Sequence, residues 1–175
     1  MLPSAALSTI SWMLLSCLML ISQVQGEDVV KSLPAARITC PKGSVAYFSY
    51  CYALYTTPAA WMDAEISCQS RHSGHLTSIL TGSEASFVSS LIKSSSSRQT
   101  YVWIGLHDPT EGNYPNGGGW MWSSTDVMNY QIWEKRPPTN PNFGFCGSVT
   151  QSSGFRKWKD YNCDIKLPYV CKFKN

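Results

Sequence analysis

Apolar positions along this chain change period several times, and each change predicts a different element. Residues 10–21, ISWMLLSCLMLI, form an unbroken run without charge. Residues 46–55, AYFSYCYALY, alternate with the period of two expected of an aromatic-rich strand. Trp61, Ala64 and Cys68 then recur at i, i+3 and i+7, one face of a helix reaching about Arg71. Thr57 is its expected N-cap and Pro58 lies in its first turn. A second helix starts near Thr81, where Thr81-x-x-Glu84 has the form of a capping box. Ala85, Val88, Leu91 and Ile92 supply its buried stripe, and the polar run SSSSRQ from Ser94 ends it in a loop.

From Tyr101 the texture shifts. YVWIGL, residues 101–106, is the short apolar run of a buried strand. A Gly-, Pro- and Asn-rich stretch over 107–119 follows, then Trp120-Met121-Trp122. Between Trp133 and Cys146 runs EKRPPTNPNFGF, whose three prolines exclude regular structure. Short strands close the chain around Val149 to Trp158-Lys159-Asp160 and at YVCKF, residues 169–173. A strand, two helices and a strand-rich half interrupted by long loops is an α+β pattern. Irregular loops beyond about twelve residues are uncommon and often functional.

The first apolar run is too short to cross a bilayer, which takes about 20 residues. Small residues at Val24 and Gly26 precede the first charges, Glu27 and Asp28. Residues 1–26 are therefore expected to be a secretory signal peptide cut after Gly26, although only the α-amino group supplies positive charge ahead of the run. Residues 27–37, EDVVKSLPAAR, read as a disordered tail or as a short propeptide ending at a trypsin-type bond, Arg37–Ile38. The division adopted is signal peptide 1–26, propeptide 27–37 and one domain over 38–175.

Loss of the leader removes Cys17 and leaves Cys40, Cys51, Cys68, Cys146, Cys163 and Cys171. An even set in a secreted chain argues for three disulfides, and composition alone leaves all 15 pairings of six cysteines open. No C-x-x-C occurs and the histidines lack zinc-ligand spacing. The formal net charge is +3. Residues 27–37 carry two charges of each sign, so the remainder keeps that value. So small an excess predicts mild attraction to anionic surfaces and no nucleic-acid partner.

Catalytic motifs are absent from the sequence: there is no Gly-x-Ser-x-Gly, no His-Glu-x-x-His and no phosphate-cradling glycine loop. His72, His75 and His107 have no evident nucleophile beside them, and His72 and His75 fit a solvated loop after a helix. Trp103, Trp120, Trp122, Trp133 and Trp158 are expected in the core. Arg156-Lys157-x-Lys159 is either a patch for sulfated glycans or membrane, or a solvated strand face.

YVWIGLHDP, GWMWSS and the closing WKDYNC and LPYVCKF resemble the C-type lectin-like domain, and the likeness covers nearly all of residues 38–175. The leader, Arg37–Ile38 and the opening CPKGS…SYCYAL go further. They resemble the secreted regenerating-protein family, type III, which holds the pancreatitis-associated and islet-neogenesis-associated proteins. The resemblance implies two helices, two small antiparallel sheets, a long irregular loop region and the pairing Cys40–Cys51, Cys68–Cys171 and Cys146–Cys163. The second pair closes a loop long enough to contribute about 4–5 kcal/mol in the chain-entropy account.

In calcium-dependent relatives, a carboxylate-Pro-Asn triplet and a Trp-Asn-Asp triplet hold calcium, and sugar hydroxyls complete its shell. The resemblance places these on Pro137-Pro138-Thr139 and Trp158-Lys159-Asp160. The first has no carboxylate, and the second puts an ammonium where an amide would coordinate. Calcium takes six to eight oxygens and is repelled by a cation. No cofactor is therefore expected, and Asp160 is expected to pair with a nearby base. Type III relatives carry another triplet, Glu-Pro-Asn, linked to calcium-independent binding of glycans such as peptidoglycan. Here it maps onto Tyr114-Pro115-Asn116, where Pro115 and Asn116 match and Tyr114 does not. A phenol offers sugar hydroxyls one donor, a weaker acceptor and a stacking face in place of two charged acceptor oxygens. Glu111 is a candidate substitute three residues upstream, and a plain turn at Pro115-Asn116-Gly117 is the competing reading.

The resulting expectation is a secreted, non-enzymatic signalling or acute-phase factor of pancreas and gut. It would act in a growth-factor-like or inflammatory role through a cell-surface receptor or glycan. The rival is an antibacterial lectin that binds peptidoglycan and permeabilises anionic membranes. Arg37–Ile38, Lys93, Arg156, Lys157 and Lys159 fit the rival, while the missing glutamate counts against it. The sequence leaves oligomerisation open.

Overall fold

The computed structural model describes residues 38–95, 98–110, 119–137, 139 and 145–175. In chain order the elements are β1 (Val45–Tyr47), β2 (Tyr50–Ala59), α1 (Trp61–Gln69), β3 (His75–Leu76), α2 (Gly82–Lys93), β4 (Tyr101–His107), β5 (Met121–Trp122), β6 (Cys146–Thr150), a 3-10 turn (Gln151–Ser153), β7 (Trp158–Tyr161) and β8 (Leu167–Phe173). The architecture is the expected α+β arrangement.

The two antiparallel sheets expected from the resemblance are joined. Strands run β1-β2-β8-β4-β6-β7 in one sheet, with β3 added on β8 and β5 on β4. Each pairing is antiparallel except β4 with β8, which meet in parallel at Trp103 and Tyr169. That single contact turns an N- and C-terminal hairpin sheet and a loop-bearing sheet into one mixed sheet.

Alternation along the strands assigns the two faces. On one, Tyr52, Val102, Ile104, Leu106, Val149 and Val170 pack with Ala85, Val88 and Ile92 of α2. On the other, Cys51, Ala53, Trp103, Tyr169 and Cys171 pack with Trp61, Ala64 and Cys68 of α1. Each face is thus covered by one helix. Trp103, Trp122 and Trp158 are fully buried as expected, whereas Trp120 and Trp133 are half-buried and pack against that core. Gly147 is what lets β6 lie so close to β4, because a side-chain carbon there would stand 2.5 Å from Leu106 Cβ.

The first helix starts later than its sequence suggests. Thr57 and Pro58 belong to β2, whose register with β8 shifts between Tyr55 and Ala59. Proline cannot donate to a ladder, and a strand irregularity is one of the few places a sheet accepts it. Ala60 is the N-cap of α1 and offers no side-chain cap. Instead, the Trp61 N–H donates to the Cys163 carbonyl at 2.9 Å. The second helix starts as predicted, with Thr81 Oγ1 accepting from the Glu84 N–H at 3.1 Å.

The disulfides are Cys40–Cys51, Cys68–Cys171 and Cys146–Cys163, as the resemblance implies. They tie the β1–β2 hairpin, α1 to β8, and the loop-bearing strand β6 to the segment before β8.

Candidate glycan-binding site

Tyr114, Pro115, Asn116 and Glu111 lie outside the described residues, but the base on which their loop stands is well defined. The chain leaves β4 at His107, and Asp108 follows, 8% exposed. Its Oδ1 accepts from the Thr110 N–H at 2.9 Å and from Thr110 Oγ1 at 2.6 Å. A side-chain carbon on Gly119 would meet the same oxygen at 2.9 Å. Both ends of the 111–118 stretch therefore converge on one carboxylate. Its backbone N–H donates to the Phe145 carbonyl at 2.8 Å, where the second long loop returns. Both irregular segments thus spring from one edge, pinned behind Phe145 by Cys146–Cys163. Asp108 was not singled out from sequence. Its signal was an aspartate two residues before a threonine at a strand end, the pattern of an Asx turn.

The two triplets that the resemblance aligned with calcium ligands do come together. Trp133 bridges in parallel to Trp158, and the Trp158 N–H donates to Ile132 O at 2.9 Å. Asp160, 2% exposed, faces Thr139. Asp160 Oδ2 accepts from the Thr139 N–H and Oδ1 from Thr139 Oγ1, each at 2.5 Å. Asp160 was expected to pair with a nearby base, and Thr139 is one partner that it has. Among the described residues of these triplets, Asp160 and Thr139 are the oxygen-bearing side chains, beside Lys159, against the six to eight oxygens that calcium takes. Among the described residues, no group of three His, Cys, Asp or Glu side chains could hold a metal ion.

The basic residues separate into two places. The Lys93 ammonium at the end of α2 lies 3.2 Å from where a side-chain carbon on Gly154 would stand, and Ser89 Oγ donates to Gly154 O at 2.7 Å. Lys93 is thereby set beside the turn that carries Arg156 and Lys157, and all three are exposed. Lys159 instead turns to the Tyr101 ring, 5.5 Å from its centroid. Gly26 and Arg37 lie outside the described residues. Ile38 is half-buried against the face of the sheet covered by α1.

His75 is not a solvated loop residue. It sits in β3 with Nδ1 2.6 Å from Glu65 Oε1. Glu65, 4% exposed, also accepts from Gln69 Nε2, the Leu76 N–H and Ser123 Oγ. A glutamate on the same helical face as Trp61, Ala64 and Cys68 was the available sign of a buried acceptor. His107 tilts against Trp61 with ring centroids 4.8 Å apart, and burial holds its imidazole below the usual range, though Glu65 and Asp108 pull the other way.

A fourth carboxylate ties α2 to β2 and β8. Glu84 Oε1 accepts from Lys172 Nζ at 2.7 Å and from Tyr52 Oη at 2.5 Å, while Oε2 accepts from the Leu80 N–H at 2.8 Å. The return half of the predicted capping box is thus redirected into the core. Burial, and then the hydrogen bond to Glu84, pushes the Tyr52 phenol far above its ordinary range.

Comparison with known proteins agrees with this geometry. The Lectin C-type domain family matches residues 57–173. Human regenerating islet-derived protein 3-gamma is 64% identical over 175 residues, covering 100% of both chains. Pancreatic beta cell growth factor of the hamster Mesocricetus auratus is 54% identical over 174 residues, covering 99% of each. The crystal structure of human lithostathine superposes with a TM-score of 0.72 at 46% identity, covering 85% of this chain and 100% of that one.

Proposed function

Because the chain belongs to the C-type lectin-domain family, in its regenerating islet-derived group, we propose that it is a secreted, non-enzymatic signalling or acute-phase factor with at most weak, calcium-independent glycan binding. Residues 1–26 would be its signal peptide and 27–37 its propeptide, released at Arg37–Ile38. The observation that carries the proposal is the closure of Asp160 on Thr139. That carboxylate already accepts two bonds from one threonine and stands beside a lysine, and the aligned triplets bring no second carboxylate towards the six to eight oxygens calcium takes. No cofactor enters the function. Tyr114 removes the charged acceptor from the other sugar-gripping position. Among the relatives, one is named a growth factor, which fits a receptor as partner.

The test is retention on insoluble peptidoglycan, with and without chelator. Wild type should be held weakly and Tyr114→Glu more strongly, with chelator changing neither. Equal retention of both proteins would sink the preference for signalling. In parallel, millimolar calcium should leave the thermal midpoint unmoved, since a ligand specific to the native state would raise it.

One observation favours the antibacterial reading. Ten Lys or Arg side chains are exposed among the described residues, against two carboxylates, Asp63 and Asp164. The outer surface is therefore more basic than the net charge of +3 suggests, and it should be drawn to anionic membranes at low salt. Leakage from anionic vesicles that tracks Lys93, Arg156 and Lys157 would decide for that reading.

A further inference from the structure

Lys172, held by Glu84, also forms the back of a cavity of about 170 Å³ that belongs to neither long loop. Its lining includes Tyr50, Ser78, Ser124, Asp126, Lys172 and Lys174. The floor is built: Ser78 is fully buried and Lys172 is 8% exposed. Lys172 Nζ donates to Glu84 Oε1 at 2.7 Å and to Ser78 Oγ at 3.1 Å, and it lies 4.7 Å from the Tyr50 ring centroid. An ammonium has three donors, so these two bonds leave one.

The wall is Asp126, half-buried. Its Oδ2 accepts from Ser78 Oγ at 2.6 Å and from Ser124 Oγ at 2.8 Å, while its Oδ1 takes neither bond. Among the described residues Asp126 has no ion pair, unlike Glu84 and Glu65. At the rim, exposed Lys174 stands 5.8 Å from the same tyrosine ring. His75 closes the remaining side, already held by Glu65.

The charge balance selects the ligand class. Lys172 is offset by Glu84, and Lys174 by Asp126. An anion entering would face Asp126, and a cation would face two ammonium groups. A neutral polyol suits both: one hydroxyl donates to Asp126 Oδ1, a neighbour accepts from a lysine, and the C–H face of the ring lies on Tyr50. Carboxylate acceptors and an aromatic platform together make a compact recognition set. We propose that this cavity is a calcium-independent subsite for a single neutral pyranose, separate from the 114–116 loop. The proposal rests on the weak, calcium-independent glycan binding proposed above, but it does not depend on that loop.

The test is an NMR titration of the whole 38–175 domain with free mannose and with N-acetylglucosamine, chelator present. Amide shifts should move at Tyr50, Ser124, Asp126 and Lys174, with an affinity in the millimolar range. Asp126→Asn keeps an acceptor oxygen for both serines, so it should fold and still lose about tenfold or more in affinity. Lys174→Gln, at an exposed position, should lose several-fold. Shifts confined to residues 108–119, unchanged affinity in Asp126→Asn, or no response to either sugar would overturn the subsite. So would displacement by inorganic sulfate, which would mark an anion site. Retention on peptidoglycan is read separately through position 114, so either idea can fail alone.

Discussion

Replacing Glu84 with leucine should be among the most damaging single changes in the domain. The carboxylate is 6% exposed and accepts from the Lys172 ammonium, the Tyr52 phenol and the Leu80 N–H. Without it, Lys172 remains 8% exposed with Ser78 as its hydrogen-bond acceptor and the faces of Tyr50 and Tyr52 as its other neighbours. Breaking a buried pair by removing one partner costs about 3–5 kcal/mol, most of it the uncompensated charge. For a domain of this size that lowers the thermal midpoint by about 10–15 °C. The assay is urea and thermal unfolding by circular dichroism with disulfides intact, on Glu84→Leu, Lys172→Met and the double variant. Because the double variant buries no lone ammonium, it should be more stable than Glu84→Leu alone. If the two single losses simply add, the carboxylate and ammonium are not energetically coupled and the reasoning fails.

Three further outcomes follow from the same structure. Tyr52 holds its proton above the ordinary phenol range, so the unfolded chain ionises first and stability should fall as pH rises past about 10. An absorbance titration should show one tyrosine that ionises only on unfolding, and Tyr52→Phe should remove that class. His107 is shifted the other way, chiefly by burial, so its contribution is present above about pH 6.5 and is lost as pH falls below that. NMR should place its titration below the ordinary histidine range, and His107→Phe should flatten stability between neutral and mildly acid pH. Finally, Gly119→Ala sets a carbon 2.9 Å from both Asp108 Oδ1 and Thr110 Cγ2, which should cost about 1–3 kcal/mol in urea unfolding; a loss under about 0.5 would mean the loop base gives way freely.

Much of the fold was legible because local pattern and burial agree. The stripe of Ala85, Val88 and Ile92 and the run from Tyr101 to Leu106 announce one helix and one strand, and both exist. Thr57-Pro58 misled because proline opens helices and also sits at strand irregularities, and only the pairing of Ala59 with Leu167 decides between them. Likewise, Thr81-x-x-Glu84 marked the helix start correctly but not the destination of the glutamate, since Lys172 lies 88 residues away in sequence. The Asp160–Thr139 closure was hidden for the same reason: each residue type was readable, but their meeting depends on the bridge from Trp133 to Trp158.

What these positions share bears on how this domain can meet a sugar. A carboxylate grips hydroxyls only if its oxygens are accessible and not already spent on protein donors. Glu65 and Glu84 accept from side chains and backbone inside the core, Asp108 from Thr110, and Asp160 from Thr139. Glu134 takes the hydroxyl of Ser152. Of the remainder, Asp63 lies on the outer face of α1 and Asp164 in an exposed turn beside the half-buried segment at Cys163. Asp126 alone among the described carboxylates lines the cavity beside Tyr50 and Lys172 while keeping one oxygen clear of its two serines. Acceptor placement of this kind, with most of the described acids turned inward and ten described cations exposed, makes anionic surfaces the long-range attraction, and in the proposed subsite it gives the short-range recognition of a neutral sugar to Asp126.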